Sequence, residues 1–256
     1  MTNVFLLALL ICHLLGDFYF QSRDLADRKK EGLSDNLLHC LLYAFPFAVL
    51  LVLFAVFSHS RDSLIFVAAI LFALVATHAI VDIIKWMLFK IGWLQQSYKV
   101  VAFIVDQLIH FVIIVAVGLS FGDFLQEVPW GTGEEYLIWW RIAFFVLAVG
   151  KPVNVAFKIV FERFAVDTEV DNEGTKTVLT EEGAGALIGT FERLIMGAFA
   201  IMGQFAAMGL VMAAKTLSRY DRISKNPRFA EYYLIGTLCS VLTMIILHLL
   251  TFGLPI

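Results

Sequence analysis

The chain has 256 residues, of which 60% are hydrophobic and 16% charged, far from the roughly 45–50% apolar and 25% charged composition of a soluble domain. Its formal net charge of −3 gives no sign of a nucleic-acid partner. Cys12, Cys40 and Cys239, an odd number within apolar sequence, imply no disulfide framework.

Apolar runs cover 4–20, 37–57, 64–88, 100–121, 137–161, 184–214 and 232–252. Most reach the roughly 20 residues that cross a hydrocarbon core, so the expectation is an all-α, multi-pass bundle of about seven transmembrane helices. The first run lacks a basic leader and a small-residue cleavage site, and it contains His13 and Asp17, so it reads as a retained span and not as a signal peptide. We expect a four-helix membrane domain at 1–121 and a carboxy-terminal region of about three helices at 122–256. Between the fifth and sixth runs, an acidic loop near 165–182 alternates Thr and Val with charges around Asn172-Glu173-Gly174, which predicts a short β-hairpin outside the bilayer. Gly183, Gly185 and Gly189 suggest a close helix-packing face.

Loop charge sets the expected orientation. Arg23, Arg28, Lys29 and Lys30 occupy the first connection and Lys90 and Lys99 the third, against Arg61 alone in the second, which puts the first and third inside and the amino terminus outside. Lys215, Arg219, Arg222, Lys225 and Arg228 conflict with simple alternation. Either Lys151-Pro152 breaks the fifth run so that it does not cross fully, or 184–214 contains a re-entrant piece before its span. The same basic run predicts attraction to anionic lipid headgroups at about 1 kcal/mol per basic residue.

The chemistry lies in polar groups within the first four runs. His13 with Asp17, His39 with Tyr43, His78 with Asp82 and Asp106 with His110 are each four apart, which on a helix puts both on one face. Ionisable groups inside a span face a protein interior or a water-filled cavity and are functional candidates by default. Counted from the run ends that share a side, Asp17, His39, Asp82 and Asp106 form one layer. His13, Tyr43, His78 and His110 form a second, about 6 Å deeper at 1.5 Å per residue. Gln21, Lys85 and Gln107 flank these faces.

Imidazole nitrogen and carboxylate oxygen without thiolate suit zinc first, with iron or manganese as alternatives. The candidate ligands are His13, Asp17, His39, His78, Asp82, Asp106 and His110. Asp17, Asp82 and Asp106 can also act as a base and His39 as an acid beside a metal-bound water, so metal-assisted hydrolysis of a membrane-embedded or membrane-adjacent substrate is the favoured reading. A cation or proton-coupled transporter would use the same residues without breaking a bond. A scaffold would use them only to fix helix register, at about 0.6–2 kcal/mol per contact. Glu192 and Arg193, in the middle of the sixth run, are candidates for lipid or substrate contact.

The motifs His13-Leu-Leu-Gly-Asp17-Phe-Tyr-Phe-Gln21, His39-Cys-Leu-Leu-Tyr43, His78-Ala-Ile-Val-Asp82-Ile-Ile-Lys85 and Asp106-Gln107-Leu-Ile-His110 resemble, in order and spacing, the bacterial membrane family catalogued as domain of unknown function 3307. The resemblance spans about residues 3–120. Gly189-Thr-Phe-Glu192-Arg193 and Ala230-Glu231-Tyr-Tyr-Leu-Ile-Gly236-Thr237-Leu-Cys-Ser240 resemble its longer members. It implies a multi-pass protein of a bacterial membrane and supports the site without naming its reaction; with the loop charges, the expectation is the inner membrane with a periplasmic amino terminus. A looser similarity, in scattered intramembrane His and Asp, is to bacterial membrane-bound metal-dependent hydrolases.

Overall fold

A computed structural model describes residues 3–29, 32–122, 128, 134–162 and 183–253. Among them there are helices and turns but no strand. The chain forms two compact units, Met1–Leu147 and Ala148–Ile256.

In the first unit, α1 (Val4–Leu14) is apolar on every side, and each residue from Val4 to Cys12 is buried, as expected of a helix enclosed by others. Asn3 caps it, Oδ1 accepting from the Phe5 amide at 2.8 Å while Nδ2 donates to the Gly118 carbonyl at 3.0 Å. The helix runs into one π-turn, Leu15–Tyr19, closed by the Phe20 amide on the Leu15 carbonyl at 2.8 Å. At 1.5 Å per residue, positions 4–19 reach only about 24 Å, short of the roughly 30 Å hydrocarbon thickness.

A short α2 (Arg23–Arg28), capped by Ser22, leads to three longer helices: α3 (Leu33–Phe57), α4 (Arg61–Lys90) and α5 (Lys99–Ser120). Helix α1 packs against α3 and α5, and α4 packs against both of these. Two glycines permit the close approach. A Cβ on Gly118 would stand 2.7 Å from Leu6 Cδ1 and 2.9 Å from Leu6 Cα, and one on Gly16 would stand 2.9 Å from Tyr43 Cα.

The fifth run is broken where Lys151-Pro152 pointed, but as a whole it remains long and apolar enough to cross a membrane, so the break does not by itself remove a crossing. Helix α6 (Glu134–Val149) stops at Gly150 and α7 (Lys151–Phe161) restarts with Pro152 in its first turn, where a missing amide costs nothing. The run at 184–214 is divided too, as the other alternative allowed. Helix α8 (Ala184–Ile201) ends in a Schellman turn: Gly203 has φ +70°, its amide bonds the Ala200 carbonyl at 3.1 Å, and the Gln204 amide bonds the Phe199 carbonyl at 2.8 Å. Helix α9 (Phe205–Ser218) then returns alongside α8, with Lys215 Nζ 2.5 Å from Glu192 Oε2. That pairing fixes the two as an antiparallel hairpin.

Helix α10 (Tyr220–Lys225) precedes α11 (Pro227–Phe252), which starts on an Asn226 cap with proline behind it and packs on α8. Among the described residues, Gly185 has no neighbour where a Cβ would be and Gly189 meets only its own helix's Arg193, so at these two positions no close helix contact is seen.

Six helical segments among the described residues are long and apolar enough to cross a membrane: α3, α4, α5, the interrupted α6–α7, α8 and α11, with Val4–Tyr19 and α9 shorter. The β-hairpin expected at 165–182 lies outside the described residues.

Candidate metal centre

The four helices bring their polar pairs to one buried cluster. Its centre is the His39 imidazole, which α3 buries completely. His39 Nε2 stands 3.4 Å from Asp17 Oδ1, 3.2 Å from Asp82 Oδ2 and 3.3 Å from His78 Nε2, and His78 Nε2 stands 3.7 Å from Asp82 Oδ2. One imidazole N–H cannot serve three acceptors at once. Four ligands at about 2.0–2.1 Å around a tetrahedral zinc lie about 3.3–3.4 Å apart, the spacing found around His39.

Of the seven predicted ligands, Asp17, His39 and His78 each offer an atom within 4.8 Å of the other two. Local backbone sets this up. Asp17 lies within the π-turn, so the expectation of a regular α-helical four-residue step from His13 is corrected there; such turns recur at functional sites because the inserted residue re-aims a side chain. His78 is held by packing: the Tyr43 ring lies flat on it, centroids 3.5 Å apart and 2° from parallel. Neither His39 Nδ1 nor His78 Nδ1 has a hydrogen-bond partner among the described residues. The pair thereby departs from the usual metal-bound histidine, whose second nitrogen donates to an oxygen.

The remaining carboxylates are bound to cations. Asp82 accepts from Lys85 at 2.7 Å through Oδ1 and from Lys29 at 3.3 Å through Oδ2, and Lys85 also reaches Asp106 Oδ2 at 2.8 Å. Lys29 further donates to Gln21 Oε1 at 3.1 Å. Gln107 Nε2 donates to Asp17 Oδ2 at 2.7 Å and approaches Asp106 Oδ2 at 3.4 Å. Lys29 was not anticipated as a site residue. Its position in a loop charge run signals only membrane sidedness, and nothing in its spacing couples it to α4.

Deeper in the bundle, His13 Nδ1 and Tyr43 OH are 3.2 Å apart, and the His110 ring lies 4.4 Å from that of His78 and 5.6 Å from that of His13. His110 Nδ1 is 3.8 Å from Asp106 Oδ1. That oxygen and both His110 nitrogens are buried without a hydrogen-bond partner among the described residues. Three such atoms in one place leave hydrogen-bonding capacity that an ordered water or a substrate group would satisfy.

Glu192 and Arg193 belong to the second unit. Glu192 pairs with Lys215. Arg193 donates to the Val149 carbonyl at 2.6 Å and to Asn154 Oδ1 at 2.7 Å. The Gly150 interruption ends α6 beside that carbonyl, and the guanidinium meets it where water is scarce. Replacing Arg193 with methionine strands both acceptors, at about 1–3 kcal/mol each. A clear drop in the detergent-solution melting temperature is expected, against no change for Arg228→Met.

Residues 5–130 match the model of a family described as a protein of unknown function, DUF3307. Through this half the chain belongs to the DUF3307 family. The matched segment contains every residue of the His/Asp/Lys cluster, whereas Glu192 and Arg193 lie outside it. No curated protein and no solved structure matches the chain.

Proposed function

We propose that this is a membrane-embedded, metal-dependent enzyme, a hydrolase, in which Asp17, His39 and His78 hold one divalent transition metal, zinc before iron or manganese. The reading is carried by the convergence of these three side chains, whose ligand atoms lie within 4.8 Å of one another, with Asp82 3.2 Å from His39 Nε2. Asp82, clamped by two lysines, closes the centre as a fourth ligand or as the anchor of His39. Asp106 and His110, with their unpartnered atoms beside His78, are the acid–base pair: a metal-bound water gives its proton to one of them as it attacks the substrate. His13 and Tyr43 support the ring stack beneath.

Asp106→Asn is therefore expected to keep the metal and lower turnover about 10²–10⁴-fold, the scale of a general acid–base group. Metal content measured beside activity, or beside complementation of the cellular function, tests it. Loss of metal in Asp106→Asn would move that residue into the ligand set.

One observation favours a second reading. Lys29, Asp82, Lys85 and Asp106 form an unbroken chain of charged contacts, as a proton or cation carrier requires. Ion movement into vesicles containing wild-type protein, without substrate turnover, would select the carrier.

For placement we propose the bacterial inner membrane with the amino terminus periplasmic. The α8–α9 hairpin removes the conflict in loop charge, because a chain that turns back at 202–204 delivers Arg219, Arg222, Lys225 and Arg228 to the side from which α8 started. Lys215 is engaged by Glu192, so the last four are the proposed contacts for anionic headgroups.

A further inference from the structure

The two lysines do more than the centre's carboxylates demand. Each Asp82 oxygen has a different ammonium partner, and the Lys29 and Lys85 side chains retain 14% and 25% exposure, whereas His39 and His78 are sealed at 0% and 1%. Imidazoles thus form the floor of the site and ammonium groups its accessible rim. Lys29 comes from the turn that ends α2, so one side of that rim is built outside the spans. Once Asp17, His39 and His78 hold a divalent ion, three carboxylates stand against two ammonium groups and that ion, leaving one formal positive charge on the cluster as a whole, centred on the metal beside the lysine rim. A neutral substrate would not balance it.

Resting on the metal reading, we propose that the site takes a phosphate monoester, its three free phosphoryl oxygens shared among the metal and the two lysines. Tetrahedral phosphate offers oxygens for three separate cationic partners, and lysine binds it as a point charge free of the planar geometry that arginine imposes. A carboxylate has only two oxygens to share among the three. The phosphate is carried by a lipid headgroup or by a soluble ester, and the site chemistry is common to both.

The test titrates detergent-solubilised, zinc-loaded full-length protein with inorganic phosphate. Saturable binding is expected in wild type, weakened about tenfold or more in Lys29→Gln, the scale of one charge-assisted hydrogen bond. Lys29→Arg should restore most of it, and Arg61→Gln, at the exposed start of α4 outside the cluster, should leave it unchanged. Displacement by phosphatidate in mixed micelles and by glycerol phosphate then separates the sources: either competitor supports the site, and the stronger names the carrier. Zinc binding with no phosphate binding, or equal phosphate affinity in Lys29→Gln, overturns this inference and leaves the metal reading standing. Absence of zinc binding overturns both.

Discussion

Leucine at position 118 is expected to prevent the first unit from assembling. Gly118 sits where α5 crosses α1, and even a methyl group there would meet the Leu6 side chain at 2.7 Å and, more seriously, the Leu6 backbone at 2.9 Å. A side chain can rotate away, but a helix backbone can yield only by moving the whole of α1. That helix is enclosed along its length and tied to α5 through Asn3 and the Gly118 carbonyl, so it has little room to move. Helices in lipid associate through close packing at small residues and gain little from apolar burial alone, so separating α1 from α5 removes the main source of their affinity. Gly118→Ala should cost about 1–3 kcal/mol, as over-packing does, and Gly118→Leu should give protein that aggregates on extraction. Size-exclusion profiles and thermal melts in detergent report the difference. A Gly118→Leu variant as monodisperse and heat-stable as wild type would show that the two helices are not packed as described.

His39→Ala is expected to abolish metal binding and function together. His39 is the residue through which Asp17, Asp82 and His78 meet, each within 3.4 Å of its Nε2. Losing even an outer partner of a ligand costs about 10–100-fold in metal affinity, so removing a ligand should cost more than about 100-fold. The alanine variant also leaves two carboxylates buried beside an empty space, so some loss of stability will accompany it. His39→Gln, which keeps an amide in contact with them, should melt closer to wild type and still hold no metal. That contrast separates the ligand from a mere register pin, for which glutamine would preserve function.

Much of the cluster is legible in sequence because helix geometry is local: a four-residue step puts His78 one turn deeper than Asp82 on α4, and His110 one turn deeper than Asp106 on α5, whatever surrounds them. The interruption at Gly150 is legible for the same reason, since Lys151-Pro152 marks a helix start wherever it occurs. Three features are not. The π-turn at Leu15–Tyr19 follows from how α1 must meet Tyr43 at Gly16, a tertiary demand without a residue signature. Lys29 reaches Asp82 across 53 positions of sequence, and a lysine in a loop charge run looks like any other. The α8–α9 turn hides in continuous apolar sequence, where one glycine, Gly203, is the sole residue with the left-handed φ that the turn requires. Glu192 and Arg193 look like a site from sequence because buried charge usually is one; their partners Lys215, Val149 and Asn154 give them instead the work of joining helices in the second unit.

The central claim, that Asp17, His39 and His78 bind one metal ion, is tested most directly by X-ray absorption at the metal edge on protein purified without chelators. About one equivalent of zinc, iron or manganese is expected, with nitrogen and oxygen ligands near 2.0–2.2 Å, an imidazole scattering pattern for two histidines, and no sulfur. Protein free of transition metal even after loading, or a metal held by sulfur or by oxygen alone, would contradict it.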